Sequence, residues 1–201
     1  TLRDAYTEQV LGMIEGGVDA VLIETSQDLL QAKAAVLGSH AAMAELQQRV
    51  PILVSVTVET TGTMLLGSEI GAALTALQPL GIDAIGLNCA TGPAEMTEHL
   101  RHLSRHADVL LTCMPNAGLP ELTPDGARYP LSPQELADAH ESFVSDYGLN
   151  LIGGCCGTTP EHLRQVVERL HGRGRVDRSP TAPPSVSSLY HSVPLRQEAT
   201  F

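Results

Sequence analysis

The sequence predicts an α/β fold with a parallel β-sheet, and three observations support this. Five short apolar, β-branched runs each lead into a small polar or glycine-rich turn and then into a stretch with helical periodicity. The runs begin at residues 20, 52, 84, 109 and 149, and steps of roughly 30 residues are typical of the β-α-β unit. The runs are continuously apolar rather than alternating, which indicates strands that are buried on both faces.

Each element has a local signal in the sequence. Strands are predicted over residues 20–23, 52–56, 84–87, 109–111 and 149–152. A first helix is predicted over roughly residues 2–16, ending at Gly16-Gly17. Helix starts are predicted at Ser26, Ser68, Gly92-Pro93, Ser132 and Thr159-Pro160. The Ser132 start is the most specific, because Pro133 and Glu135 complete a capping box.

The number of strands leaves two architectures open. Five parallel strands are too few to close a (β/α)8 barrel, which needs eight. They could instead form an open, doubly wound sheet. Periodicity alone does not separate part of a barrel from a doubly wound sheet.

Composition restricts the expected partners and compartment. The 201 residues carry a formal net charge of -11, whereas nucleic acids and anionic membranes are bound by clustered lysines and arginines. No apolar run approaches the roughly 18 residues of a membrane-spanning helix. We therefore expect no nucleic-acid partner and no membrane partner. With four cysteines, two of them adjacent, reduced thiols in the cytoplasm are expected rather than disulfides.

The strongest chemical signal is a pair of cysteines embedded in glycines. Cys155 and Cys156 follow a predicted buried strand and lie within the segment Gly153–Pro160. The glycines allow a sharp turn that lets both sulfurs face one point. Functional sites of parallel α/β folds lie at this end of the strands.

A third cysteine occupies an equivalent position at the end of another strand. Cys89 follows the strand over residues 84–87, within Gly86–Pro93, and 155 − 89 = 66 residues separate it from Cys155. Three thiolates are a suitable ligand set for zinc, and three protein ligands leave one tetrahedral position open for a substrate. Two alternatives remain open: the cysteines are small buried hydrophobic residues, or Cys155 and Cys156 form a vicinal disulfide redox switch.

Other candidate ligands have weaker signals. Cys113 ends a predicted strand without a glycine-rich turn, so we interpret it as a strand-end residue. His99, His102 and His106 share one face of a predicted helix, and we interpret them as a solvated polar face.

The two cysteine segments resemble the paired motifs of the homocysteine S-methyltransferase family, and the resemblance extends over about residues 1–172. It implies a (β/α)8 barrel in which Cys89, Cys155 and Cys156 bind zinc and act in catalysis, with the homocysteine sulfur as the fourth ligand. The glycine-rich first strand of the family is not found here. The resemblance therefore implies only the C-terminal five βα units of the barrel, with the first three absent, followed by a linker.

The same resemblance implies which residues bind homocysteine. Glu24 matches a glutamate near the substrate amino group, although a carboxylate that caps the next helix is the alternative. Asn88 would orient a thiolate or the substrate, and Asn116, Ala117 and Gly118 match a loop that wraps the substrate. For these four residues an ordinary turn is the alternative.

The tail determines the expected branch of the family. Segments 188–190 and 193–197 resemble the connector between the homocysteine and folate barrels of cobalamin-dependent methionine synthases. This implies a barrel over residues 1–172 and, over 173–201, a linker toward a folate-binding domain. The Arg-, Ser- and Pro-rich composition of residues 173–185 indicates an extended, unpacked segment, whereas Tyr190, Val193 and Leu195 are expected to dock on a neighbouring domain. The implied reaction is methyl transfer from methylcobalamin, bound by another module, to homocysteine, giving methionine. A stand-alone methyltransferase using betaine or S-methylmethionine and a non-catalytic zinc or redox fragment remain alternatives.

Overall fold

In the computed structural model of the protein, residues 1–124 and 126–195 are described. The helices are α1 (Leu2–Glu15), α2 (Leu29–Leu46), α3 (Ile70–Leu77), α4 (Pro93–His106), α5 (Pro133–Tyr147) and α6 (Pro160–Leu170). The strands are β1 (Val21–Ser26), β2 (Ile52–Val56), β3 (Ala84–Asn88), β4 (Leu110–Met114), β5 (Glu121–Thr123), β6 (Gly126–Arg128), β7 (Leu151–Ile152), β8 (Ser185–Ser187) and β9 (Ser192–Pro194).

The central sheet is parallel and its strands are neighbours in chain order. The order is β1-β2-β3-β4-β7, with a helix after each strand. A doubly wound sheet reverses its strand order at a switch point, and no reversal occurs among the described strands. Unidirectional order with right-handed crossovers places the helices on one side of the sheet, as in a barrel wall. The fold is therefore α/β, and it covers part of a (β/α)8 barrel.

The core lies between this sheet and the helices. Every residue of β2 and β3 is buried, which explains why these strands are apolar without alternation. Helix α4 buries Met96, Leu100 and Leu103 on its inner face. Full burial of one such side chain stabilises the fold by about 1.5–3 kcal/mol.

Helix starts show which cap predictions were correct. Helices α4, α5 and α6 begin at the predicted Gly92, Ser132 and Thr159 caps. The prediction for Ser26 was wrong because Ser26 ends β1, and the Asp28 carboxylate caps α2 by accepting the Gln31 N–H.

The cap predicted at Ser68 was also wrong. Glu69 occupies the N-cap position of α3 and makes no side-chain cap bond there. A serine before a helical pattern is therefore a weak signal when the neighbouring residue can take the same position.

The segment after Gly172 packs against the barrel wall. The Arg178 guanidinium donates hydrogen bonds to the carbonyls of Ala107 and Val109, at 2.9 and 2.6 Å. Further along, Thr75 Oγ1 lies 2.7 Å from Ser192 Oγ, and Glu69 donates its N–H to the Tyr190 carbonyl. The expectation of an unpacked segment over residues 173–185 was therefore wrong, and Tyr190, for which docking was expected, contacts the barrel wall. Arg196 and Gln197, which carry part of the tail's resemblance, lie outside the described residues.

The same contacts cover the histidine face of α4. His106 Nδ1 lies 2.8 Å from the Thr181 carbonyl, and His102 contacts Gly71 of α3. The interpretation of His99, His102 and His106 as a solvated face was wrong, since all three are half-buried. Burial lowers the pKa of His99 and of His102.

None of the helices within residues 1–124 and 126–195 combines the length and apolar character needed to cross a membrane.

Candidate metal centre

The carboxyl ends of β3 and β7 bring three thiols together. Cys89 follows β3 directly, and Cys155 and Cys156 lie in the loop between β7 and α6. The Cys156 Sγ atom is 3.7 Å from the Cys89 Sγ atom and 4.0 Å from the Cys155 Sγ atom. All three sulfurs lie within 4.8 Å of one another. The fold therefore closes the sequence gap between Cys89 and the cysteine pair.

These distances suit a shared metal ion. With Zn–S bonds of about 2.3 Å and tetrahedral angles, ligand sulfurs lie roughly 3.8 Å apart. The two sulfur–sulfur distances of 3.7 and 4.0 Å are close to that value. Cysteine sulfur is also the donor that soft and borderline cations prefer. The three thiols could therefore hold a metal ion.

A tight left-handed turn positions Cys89. Cys89 and Ala90 have φ angles of 62° and 57°, which are unusual for residues with a side chain. The Cys89 N–H donates to the Met114 carbonyl at the end of β4, and the Thr91 N–H donates back to the Cys89 carbonyl at 2.7 Å. These bonds hold the strained turn at the strand end, and unusual backbone of this kind is concentrated at functional sites.

Close packing requires two of the glycines around the cysteine pair. A Cβ atom on Gly154 would lie 2.3 Å from Cγ2 of Thr158. Gly157 has a φ of 78°, and a Cβ atom there would lie 2.2 Å from Cγ of Tyr129. Gly157 therefore allows the positive φ of the turn, and both glycines leave room for side chains that pack directly against the backbone.

Without a cation the Cys155 thiol resists ionisation. Burial raises the pKa of Cys155 to about 11, and the neighbouring Cys89 adds to the shift. Like charges gathered at one point disfavour each other, and a bound cation reverses that effect. The site therefore favours a dication over three bare thiolates.

Asn88 links the cysteine cluster to two neighbouring strands. It is buried, and its side-chain Nδ2 donates to Thr25 Oγ1 at 2.8 Å and lies 3.9 Å from the Cys155 Sγ atom. Its backbone carbonyl accepts a hydrogen bond from Thr57 Oγ1 at 3.1 Å. Asn88 is therefore next to a thiol in space as well as next to Cys89 in sequence.

The loop after β4 holds the backbone of Cys156. The Asn116 side-chain Oδ1 accepts the Cys156 N–H at 3.0 Å, and the Ala117 N–H donates to the Cys156 carbonyl at 2.9 Å. Both residues are buried, and Gly118 follows with a φ of 89°. Two of the three residues expected to wrap a substrate, Asn116 and Ala117, therefore contact Cys156, and Gly118 follows them in the same loop.

Glu24 lies at the edge of this arrangement. It is exposed near the end of β1, one residue before Thr25, and lines a cavity of about 150 Å³ between β1 and helices α1 and α2. The cavity residues come from these three elements and include none of the cysteines. The structure therefore places Glu24 near the end of β1, two strands from β3 in the sheet.

Cys113 does not belong to the cluster. Its side chain is fully buried, and its sulfur lies 3.6 Å from the sulfur of Met96 on α4. Burial raises the pKa of Cys113 far above the ordinary thiol range.

Tyr129 is beside the cysteines and was not found from the sequence. It follows the β5–β6 hairpin, and its ring packs on Gly157. Burial raises the pKa of the Tyr129 phenol. The negative charge of the Cys156 thiolate and a hydrogen bond to Cys156 raise this pKa further. The hairpin strands have three residues each and no apolar periodicity, so the only available signal was a lone tyrosine before the Ser132 capping box.

Comparison with known proteins identifies the family. Residues 1–170 match the family model described as homocysteine S-methyltransferase. The chain belongs to the homocysteine S-methyltransferase family.

Curated relatives of this chain are much longer than the chain itself. It is 62% identical over 199 residues to the methionine synthase of Mycobacterium tuberculosis, and the matched region covers 99% of this chain and 17% of that protein. It is also 62% identical over 202 residues to the methionine synthase of Mycobacterium leprae, which covers 98% of this chain and again 17% of the relative. The chain therefore spans about a sixth of the length of these relatives.

Solved structures share the fold. The homocysteine methyltransferase MmuM from Escherichia coli in its apo form superposes with a TM-score of 0.63 at 23% identity, covering 83% of this chain and 57% of that chain. Its metallated form gives a TM-score of 0.64 at 22% identity, covering 83% and 52%. The likeness confirms the predicted barrel type, of which this chain covers a part.

Proposed function

We propose that this chain binds Zn²⁺ through Cys89, Cys155 and Cys156 and presents the thiol of homocysteine for methylation. The observation that carries the proposal is the set of sulfur–sulfur distances of 3.7 and 4.0 Å at the carboxyl ends of the strands. Three protein ligands leave one tetrahedral position for a substrate, whereas a structural zinc site normally has four. Membership of the homocysteine S-methyltransferase family supports the choice of substrate.

The bound zinc would lower the pKa of the homocysteine thiol, so that its sulfur is a nucleophilic thiolate near neutral pH. The chain's own residues keep the ligand sulfurs in place. Asn88 orients Cys155 through its side-chain amide, and Asn116 and Ala117 fix the backbone of Cys156. Fixing ligands from outside the coordination sphere is a general requirement of zinc sites.

We also propose Glu24, Asn88, Asn116, Ala117 and Gly118 as the residues that contact homocysteine. Asn88, Asn116 and Ala117 already lie against the two adjacent cysteines. Glu24 lies near the end of β1, two strands from β3 in the sheet, and its carboxylate suits the substrate's ammonium group. This division separates residues that hold the sulfur from one that holds the amino group.

We propose methylcobalamin as the methyl donor, bound by another module of a longer polypeptide. The 62% identity to proteins named methionine synthase supports this donor over betaine or S-methylmethionine, as does the small share of those relatives that the chain covers. The corrin would have to approach the carboxyl ends of β3 and β7, where the thiols lie.

We propose residues 1–172 as the barrel unit and residues 173–201 as the connection toward a folate-binding module. We propose the cytoplasm as the compartment, because three free thiols within 4.8 Å of one another persist only where reductants prevent their oxidation.

The test is the zinc content per chain of the wild type, of Cys156→Ser and of Cys113→Ser. We expect one zinc per wild-type chain, a strong reduction in Cys156→Ser because a three-thiolate site loses a ligand, and full zinc in Cys113→Ser. Wild-type protein that takes up no zinc, or Cys156→Ser protein that keeps it, would overturn the proposal.

A further inference from the structure

A buried histidine contacts the loop that carries Cys155 and Cys156. His140 lies in the middle of α5 with 0% of its surface exposed, and its Nε2 atom is 2.7 Å from the carbonyl oxygen of Gly153. Because a carbonyl can only accept, Nε2 carries the proton and donates it. The other ring nitrogen, Nδ1, is buried without a partner among the described residues.

The ring is held in the neutral form by its surroundings. Burial lowers the pKa of His140, because a charged imidazolium would be desolvated there. The ring packs edge-on against Phe143 one helical turn away, with ring centroids 6.1 Å apart. An apolar side chain would fill this space without leaving an orphaned nitrogen, so packing alone does not explain a histidine here.

Gly153 makes hydrogen bonds to two different layers of the fold. Its N–H donates to the Cys113 carbonyl at 3.1 Å, on the side of β4, while its own carbonyl accepts from His140 on the side of α5. The peptide is thus fixed from both sides. Gly153 and Gly154 have no side chains to restrict the backbone, so such external bonds decide where the following cysteines lie.

The backbone N–H groups of both cysteines donate toward the loop that follows β4. The Cys155 N–H donates to the Pro115 carbonyl at 2.8 Å, and the Cys156 N–H donates to Asn116 Oδ1 at 3.0 Å. The His140 bond supplies the opposing contact from the helix layer, two residues before the first sulfur.

We propose that His140 is a positioning residue for the metal centre: its hydrogen bond to Gly153 sets the two glycine peptides that place Cys155 and Cys156 beside Cys89. The proposal rests on zinc binding as the proposed function. Partners outside the coordination shell typically change metal affinity by about 10- to 100-fold when they are lost. Loss of the His140 bond should lie near the lower end of that range, because the bond acts through two residues of backbone.

The test compares His140→Met with His140→Gln in the whole polypeptide that carries this sequence. The two replacements have similar length, but only glutamine can place an N–H donor near the position of Nε2. His40→Met is the matched control, because His40 on α2 also bonds a carbonyl, that of Leu80 at 2.7 Å. Leu80 precedes the amino end of β3, whereas Cys89 follows its carboxyl end. The measurements are zinc affinity by competition with a chromophoric chelator and the thiolate-to-cobalt absorption of the Co²⁺-loaded protein.

We expect His140→Met to weaken zinc binding by about 10-fold and to alter the cobalt band, His140→Gln to restore both, and His40→Met to leave both unchanged. Equal zinc affinity in the wild type and His140→Met would overturn the inference and leave the proposed function intact. A His140→Gln variant as weak as His140→Met would overturn it as well, and so would a His140→Met protein that fails to fold. Wild-type protein that binds no zinc would instead contradict the proposed function.

Discussion

Two kinds of cysteine lie at the carboxyl ends of neighbouring strands, and only one kind could hold a metal. Cys113 lies within β4, fully buried against Met96. Cys89 lies just past the end of β3, and Cys155 and Cys156 just past β7, where the three sulfurs converge and are partly exposed. Cys113 lies one residue before the end of β4 and Cys89 one residue past the end of β3, so a displacement of two residues relative to the strand end separates a core thiol from a ligand thiol. Position in the fold, more than residue type, determines the chemistry.

The largest expected effect separates these two kinds directly. Cys89→Ala should abolish zinc binding and leave the metal-free chain close to wild-type stability. Cys113→Ala should keep full zinc and lower the free energy of unfolding by about 1 kcal/mol, because a buried sulfur leaves a small cavity. Zinc analysis and chemical denaturation in the presence of a chelator measure the two quantities. Zinc loss in Cys113→Ala would show that the distinction is false.

The sequence predicted this distinction because both ligand segments contain glycines at strand ends. The five strands were predicted for the related reason that strands buried on both faces are continuously apolar. The strand ends were less accurate: β4 runs to Met114 and β7 has only two residues.

What the sequence did not predict depends on long-range contacts. Tyr129 reaches the site from a hairpin without apolar periodicity, and Arg178 binds α4 from a segment whose composition is typical of a linker. Neither contact has a local signature, because each partner lies more than 25 residues away along the chain. His140 likewise appears in the sequence as one polar residue in an amphipathic helix.

The second effect concerns the glycines that let the cysteine loop form. Gly157→Ala should destabilise the fold by roughly 2–4 kcal/mol and weaken zinc binding, because strain at positive φ adds to overlap with the Tyr129 ring. Gly172→Ala is the matched control: its φ is 75°, but a Cβ atom there meets no atom within 4 Å. We expect a cost of about 1 kcal/mol for strain alone. Denaturation midpoints that agree for the two variants would rule out the packing argument.

The third effect tests whether the segment after Gly172 stabilises the barrel without influencing zinc binding by the thiols. Arg178→Ala removes hydrogen bonds to the carbonyls of Ala107 and Val109, between α4 and β4, and should cost about 2 kcal/mol of stability, with zinc affinity unchanged. Arg175→Ala serves as a control, since its exposed pair with Asp177 spans 3.8 Å and should contribute little. The variants would be compared by thermal and chemical denaturation. An Arg178→Ala protein as stable as Arg175→Ala would contradict a packed tail.

The smallest expected effect is a pH dependence of stability. Burial lowers the pKa of His99, His102 and His140 below the ordinary value of 6.5. In the folded state these rings take up protons less readily than in the unfolded chain, so their stabilising contribution is complete above about pH 6.5 and is lost as the pH falls through the lowered values. Denaturation of the metal-free chain at about pH 7.5 and pH 5.5 measures the loss, and His140→Gln should reduce it. Equal stability of the wild type at both values would contradict the burial argument.

The most direct test of the whole account is zinc-edge X-ray absorption of the zinc-loaded protein before and after homocysteine is added. We predict three sulfur scatterers at about 2.3 Å without the substrate and four with it, because the substrate thiol joins Cys89, Cys155 and Cys156 in a tetrahedral shell. A spectrum with four sulfurs from the start, or one that homocysteine leaves unchanged, would contradict a site with a position reserved for the substrate.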